Sequence, residues 1–182
     1  MRREYPEEPW RSFLNGLDGA LGEPVALHCI GGFAAVQAYG LQRATADIDV
    51  LTAIPFASSS RLIELAGKQS ALRKKYGVYL DMAPVVTAPL HYEERLTQLY
   101  AGCWEKLMLY ALEAHDLALT KLERNYERDR SDVAYLASAG YLDAAELRRR
   151  YVEEVRPYMT GRVNCHDQTL ELWIEAYFQE GI

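Results

Sequence analysis

Short apolar runs and alternating segments occupy the first part of the chain. Residues 25–30 (VALHCI) are almost wholly apolar, which predicts a buried strand. A double glycine and a short apolar segment follow, and they predict a tight turn and a short helix. From Asp47 onward, acidic and apolar residues alternate, which predicts a second strand with Ile48 and Val50 directed to the core.

The middle of the chain continues the mixture of helix and strand patterns. Helices are expected over 13–21, about 58–76 and 92–99, and strands over 78–86 and 104–112. Gly77 is expected to end the second of these helices. The segment 104–112 fits a strand or a helix, and its short length favours a strand.

The last third has helical patterns only. A helix is expected from His115, another over 144–158 with Asp143 and Glu146 as a capping box, and a last one over 168–178 capped by Asp167. The predicted fold class is therefore α/β (α+β), a mixed β-sheet flanked by helices with a helical C-terminal part. We expect an α/β core over 1–112 and a helical part over 113–182, packed on the core as one domain.

Composition narrows the class of protein. The 182 residues are 49% hydrophobic, enough for a sizeable core, and the net charge of -6 argues against a non-specific nucleic-acid binder, although a local basic patch is not excluded. The three cysteines lack CxxC spacing, so the sequence predicts neither a disulfide scaffold nor a zinc ribbon. No segment resembles a signal peptide or reaches membrane-spanning length, so we expect a cytoplasmic protein without membrane contact.

The acidic strand and the preceding glycines suggest phosphate and metal chemistry. Asp47 and Asp49 share one face, roughly 7 Å apart along the strand. Mg²⁺ prefers oxygen ligands and is usually held by one or two carboxylates together with substrate phosphates. Gly31 and Gly32 would open a helix whose backbone N–H groups attract an anion. The alternative is a solvated strand face with incidental acidic residues.

This pattern resembles the signature of the nucleotidyltransferase superfamily, in particular its minimal AbiEii-like branch, which includes toxins of bacterial toxin–antitoxin systems. The resemblance is carried by the double glycine, a short helix and the run Arg43-x-Thr45-x-Asp47-x-Asp49. It extends to Tyr79-Leu80-Asp81, to Asp116-Leu117-x-x-x-Lys121-Leu122, to Asp129-x-x-Asp132 and to Tyr92-Glu93-Glu94-Arg95, a recurrent element without assigned chemistry. Many members have Ser after the glycines, where this chain has Phe33.

The resemblance implies a third carboxylate at Asp81, which otherwise is simply an acidic residue at a strand end. Arg43 would clamp a triphosphate, or else pair with a nearby carboxylate, and Thr45 would shape the turn before the acidic strand.

Two downstream positions have their own alternatives. Lys121 shares a helix face with Leu117 and Leu122, so its charge needs a phosphate partner or must snorkel to solvent. With a phosphate partner, replacing Lys121 by Met should preserve stability and weaken nucleotide binding. Asp129 and Asp132 fit a helix start with local ion pairs, and the resemblance favours Asp132 as a functional acid.

The predicted activity is transfer of a nucleoside monophosphate from an NTP to a hydroxyl acceptor, with Mg²⁺ or Mn²⁺ as cofactor. Asp47, Asp49 and Asp81 would hold the metal, Asp81 completing a two-metal clamp or acting as base, while Gly31, Gly32, Arg43 and Lys121 would hold the phosphates. The resemblance implies a tRNA end, a protein side chain or a small molecule as acceptor, and a cognate antitoxin as possible partner. The alternative is a catalytically silent nucleotide-binding module that acts through a protein partner.

Overall fold

The computed structural model describes residues 5–83 and 86–178. The chain divides into two compact units. The first, here called the sheet unit, comprises Met1–Pro84 and Leu96–Ala111, and the second, the helical unit, comprises Val85–Arg95 and Leu112–Ile182.

A five-stranded mixed sheet organises the sheet unit. Its strands are β1 Val25–Ile30, β2 Asp47–Ile54, β3 Tyr79–Met82, β4 Thr97–Leu99 and β5 Leu107–Ala111. Their order is β3-β2-β1-β5-β4. The β1/β5 and β2/β3 pairs are parallel, and the β1/β2 and β4/β5 pairs are antiparallel. The predicted fold class is confirmed.

The described part of the sheet unit contains the α-helices α1 Trp10–Ala20, α2 Gly31–Tyr39, α3 Ser59–Ala66 and α4 Ala71–Tyr76. The single helix predicted over 58–76 is wrong, because the helix is interrupted after Ala66 and a new one begins at Ala71. The Ser70 side chain accepts a hydrogen bond from the Arg73 N–H at 3.0 Å and so begins α4. Gly77, with φ +77°, ends α4 as predicted.

The helix predicted over residues 92–99 is only partly confirmed. Only residues Tyr92–Arg95 are helical, as one 3₁₀ turn, and Thr97–Leu99 forms β4 instead. Pairing with β5, a contact distant in sequence, decides that segment. The strand predicted over 78–86 is shorter, ending at Met82, and residues 84 and 85 of that prediction lie outside the described residues.

The helical unit contains α5 Ala114–Leu119, α6 Glu127–Ser138, α7 Ala144–Arg150 and α8 Val163–Tyr177. Helical backbone continues from α7 as a π-helical turn and a 3₁₀ turn to Tyr158, as predicted. Asp143 caps α7 by accepting the Glu146 N–H at 2.8 Å. The cap predicted at Asp167 is wrong: α8 begins earlier, and Asp167 lies within it, paired with Arg156 at 2.9 Å.

Among residues 5–83 and 86–178, none of the helices has the length and apolar character needed to span a bilayer.

Candidate active site

The junction of β1 and α2 has no loop. β1 ends at Ile30, and α2 begins at Gly31 with φ +67°. A Cβ atom at Gly31 would collide with the carboxylate of Asp49. Glycine is thus required twice, by the left-handed backbone and by the close approach of Asp49. The helix N-terminus and one carboxylate therefore meet at this residue.

Strand β2 presents the two predicted carboxylates on one face. Ile48 and Val50 are completely buried, whereas Asp47 and Asp49 are partly exposed. This is the alternation that the sequence predicts.

An irregularity in β2 sets the position of Asp49. In the β1/β2 register, Cys29 lies opposite Val50 and His28 opposite Thr52, so Leu51 is an extra residue. Below this bulge Ile30 lies opposite Asp49, beside Gly31. Strict alternation of apolar residues ends at Val50, and the next buried residue of β2 is Ala53.

Asp47 is oriented by two hydroxyl groups. The Thr45 hydroxyl lies 3.2 Å from a carboxylate oxygen and 3.1 Å from the backbone carbonyl of Asp47. The Tyr79 hydroxyl donates to the other carboxylate oxygen at 3.2 Å. Burial, and then the charge of Asp47, raise the pKa of Tyr79, which keeps the phenol protonated as a donor. Sequence reasoning missed Tyr79, although its i, i+2 spacing to Asp81 placed both on one strand face.

Asp81 lies directly opposite Asp49 in the parallel β2/β3 pair. Its carboxylate accepts a hydrogen bond from the Lys68 ammonium at 2.6 Å. The Lys68 nitrogen also lies 5.3 Å from the centroid of the Tyr79 ring. The hydrogen bond to Asp81 raises the pKa of Lys68. Sequence reasoning missed Lys68 as well, because it lies in the unpredicted break between α3 and α4, and no local pattern indicates it.

A guanidinium group lies against the N-terminus of α2. A Cβ atom at Gly32 would lie 2.5 Å from Nη2 of Arg43. Phe33, the residue that replaces the common Ser, is fully buried and packs on Trp10 with ring centroids 4.9 Å apart. Position 33 therefore belongs to the core, and anion contacts at this end of α2 are left to the backbone and to Arg43.

The chemistry of these donors fits Mg²⁺ bound together with a nucleotide. Asp47 and Asp49 offer hard carboxylate oxygens on one rigid strand. Across residues 5–83 and 86–178, no three His, Cys, Asp or Glu side chains form a group that could hold a metal. A cage made entirely of protein ligands is thus absent from that part of the chain, whereas Mg²⁺ usually needs one or two carboxylates besides substrate phosphates and waters.

The other predicted residues, Lys121 and Asp132, lie in the helical unit. Lys121 lies in the turn after α5 and is only 2% exposed, so it does not snorkel. Its ammonium group lies 2.8 Å from Asp132 and 3.7 Å from Asp129. An anionic partner is therefore supplied by the protein itself, and burial of Lys121 does not require a phosphate.

Asp129 has the helix-start role that its sequence position allowed. Its carboxylate accepts the Tyr126 N–H at 3.1 Å and two bonds from Arg124 at 2.6 and 2.8 Å. Burial acts to raise the pKa of Asp129, but the hydrogen bonds from Arg124, the charges of Lys121 and Arg124 and the Tyr126 N–H together outweigh it, and the pKa lies below its ordinary value.

A second ion cluster explains the Tyr92-Glu93-Glu94-Arg95 element. Arg95 makes a forked pair with Asp116 at 2.8 and 3.0 Å and also reaches Glu154 at 2.7 Å. Asp116 is completely buried and is paired with Arg150 at 2.8 Å as well. Arg95 thus fastens its segment to the helices of the same unit.

Comparison with known proteins identifies a family for this chain. Residues 19–178 match the family model described as a nucleotidyltransferase of unknown function (DUF6036). No curated protein and no solved structure matches the chain. Because the matched region covers most of the 182 residues, the chain belongs to this nucleotidyltransferase family.

Proposed function

We propose that this protein is a metal-dependent nucleotidyltransferase that moves a nucleoside monophosphate from an NTP to a hydroxyl acceptor. One observation carries the proposal: the N-terminus of α2 and the Asp49 carboxylate meet at Gly31. A triphosphate needs backbone donors and positive charge, and its metal needs carboxylates, so the two requirements are met at one place.

The candidate residues of the sheet unit divide the work of binding in this proposal. The first turn of α2 and the Arg43 guanidinium bind the triphosphate. Asp47 and Asp49 would hold Mg²⁺ or Mn²⁺, which would neutralise charge on the phosphates. Thr45 and Tyr79 hold Asp47 in orientation through their hydroxyl groups.

The proposed transfer is an in-line displacement at the α-phosphorus. The acceptor oxygen forms a bond to the α-phosphorus, the bond from that phosphorus to the bridging oxygen breaks, and pyrophosphate leaves. The hydroxyl proton passes to a base, and Asp81 is the candidate in the sheet unit. The phosphate-binding role of Lys121 and the acid role of Asp132 stay predictions.

The acceptor is proposed from the resemblance to the AbiEii-like branch. A tRNA end is the acceptor class that a toxin of this kind would modify, and a cognate antitoxin would be its partner. A protein side chain or a small hydroxylated molecule are the other acceptor classes. A silent nucleotide-binding module is the second candidate function, because the common Ser is replaced by buried Phe33.

The deciding experiment uses each NTP labelled at the α-phosphate, with Mg²⁺ or Mn²⁺ and either total RNA or cell lysate. We expect label to move from one NTP to RNA, protein or a small molecule. An NTP that binds without any transfer of label would instead establish the silent module.

Asp47→Asn and Asp49→Asn should each lower transfer at least about a hundredfold, because a metal supplies several kcal/mol of charge stabilisation. Both side chains are partly exposed, so circular dichroism and the melting temperature should change little. Near-normal turnover of either variant at saturating metal would contradict the proposed site.

A further inference from the structure

Lys68 lies among the acidic residues of the candidate site. Its ammonium group is 2.6 Å from Asp81, and Asp81 lies opposite Asp49 in the β2/β3 register. The same ammonium faces the ring of Tyr79, whose hydroxyl bonds to Asp47. Asp81, the third carboxylate on these two neighbouring strands, thus has an ammonium group of the protein beside it.

The position of this ammonium affects how many metal ions the acidic residues can hold. A two-metal site needs carboxylates that are shared between two divalent ions about 3.5–4 Å apart. Asp81 is the third carboxylate such a site would need, and Lys68 already occupies it. Consistently, no three-member metal-binding group exists among the residues that the structure describes.

The chemistry of lysine suits this exchange. Its ammonium group is a compact point charge with three donors and no acceptor, so it can pair with a carboxylate in the place of a metal ion.

We propose that Lys68 takes the place of a second metal ion, so that the site binds a single divalent cation through Asp47 and Asp49 while Asp81 is the partner of Lys68. This inference rests on the proposed function and makes it more specific. It excludes the two-metal clamp as the role of Asp81.

The pair is accessible to mutation without unfolding the chain. The side chains of Lys68 and Asp81 are 58% and 38% exposed. Exposed pairs of this kind contribute little to stability. Loss of metal binding in a variant of either residue is therefore separable from loss of fold, and the melting temperature provides the check.

The test is a titration of the full chain with Mn²⁺, in which the electron paramagnetic resonance signal measures the free Mn²⁺. It compares the wild type with Lys68→Gln, Asp81→Asn and Asp49→Asn. Lys74→Gln is the matched control, since Lys74 is an exposed lysine of α4.

We expect one Mn²⁺ per chain for the wild type, for Lys74→Gln and for Asp81→Asn. For Lys68→Gln we expect two Mn²⁺ per chain, because the released Asp81 carboxylate becomes a ligand. Adding Asp81→Asn to Lys68→Gln should return the count to one.

Other results would overturn the inference in distinguishable ways. A tenfold or larger loss of Mn²⁺ affinity in Asp81→Asn would make Asp81 a ligand of the first metal. A count of one Mn²⁺ per chain for Lys68→Gln would show that Lys68 does not occupy the position of a second metal ion. If Asp49→Asn bound Mn²⁺ like the wild type, the metal site of the proposed function itself would be wrong.

Discussion

Gly31 and Gly32 have different physical reasons for lacking a side chain. At Gly31 the backbone is left-handed and the neighbour is a carboxylate on a strand. At Gly32 the neighbour is the far end of the flexible Arg43 side chain. A methyl group at Gly32 is therefore tolerated by the fold but displaces the guanidinium from the N-terminus of α2. The two glycines separate a requirement of folding from a requirement of the site.

Gly32→Ala should weaken NTP binding by about 1.5–3 kcal/mol, or roughly ten- to a hundredfold, because a charged contact to phosphate is lost. Stability should not fall, since Ala favours a helix over Gly by up to about 1 kcal/mol. Calorimetric titration with the NTP and urea unfolding measure the two effects. Gly19→Ala in α1, where no atom lies within 4 Å of the added carbon, is the control for the helix effect alone.

Lys121, in contrast to Gly32, has a structural role as the ion-pair partner of Asp132. From the sequence, replacement by Met is expected to preserve stability. In the structure it would leave the buried carboxylate of Asp132 without its 2.8 Å partner, and removing one member of a buried pair costs about 3–5 kcal/mol. We therefore expect Lys121→Met to lower the free energy of unfolding by roughly that amount in urea titrations.

The double variant Lys121→Met with Asp132→Leu separates the two explanations for Lys121. It also removes the buried carboxylate that pairs with Lys121 and should recover much of the lost stability. If this restabilised double variant lost nucleotide affinity, the result would favour phosphate binding by Lys121. Unchanged affinity would favour a purely structural role.

At the scale of elements, the break between α3 and α4 determines where Lys68 lies. Continuous helix to Tyr76 would place Lys68 within a helix, whereas the break puts it in the connecting segment, where it reaches Asp81. Ser70 stabilises the restart by capping α4. A single capping residue thus helps to keep the cation beside the acidic strands.

Ser70→Ala should lower the free energy of unfolding by about 1 kcal/mol, because one N–H of the first turn of α4 loses its acceptor. Ser131→Ala, an exposed position of α6, should change it by less than about 0.5 kcal/mol. Chemical denaturation of both variants measures the difference. An equal effect of the two changes would mean that the cap contributes nothing.

At the scale of the whole molecule, the negative net charge of -6 coexists with carboxylates that are held by arginines. Hydrogen bonds from Arg149 and then Arg150 lower the pKa of Glu146 to about 2. For Glu154, burial acts to raise the pKa, but the hydrogen bond and charge of Arg95, the His91 N–H and the charge of Arg149 together outweigh it, and the pKa is lowered. These carboxylates bind protons more weakly in the folded chain than in the unfolded one.

The free energy of unfolding should therefore decrease when the solution is acidified. Between the ordinary value of 4.5 and about 2, the unfolded chain binds more protons, so the free energy of unfolding falls as pH falls and is fully restored above about pH 5. Urea titrations at several pH values from 7 to 3 measure this slope. Glu146→Gln should make the slope shallower, and an unchanged slope in that variant would count against the lowered pKa.

The sequence by itself determined the local elements that need only neighbouring residues. The apolar run of β1, the alternation of Asp47 to Val50, the end of α4 at Gly77 and the cap at Asp143 were all predictable, because each is fixed by interactions within a few residues. The same holds for Asp47 and Asp49, whose position on one face of β2 follows from the period of two.

Only the tertiary structure decided contacts between residues distant in sequence. Pairing with β5 made residues 97–99 a strand, and the register of β2 with β3 placed Asp81 opposite Asp49. Lys68 and Asp81 are 13 residues apart, and Lys121 and Asp132 are 11 apart, so no local pattern revealed either ion pair. The physical reason is that a charge takes its partner from whatever the folded chain brings within a few ångströms, and that proximity is set by strand pairing and helix packing.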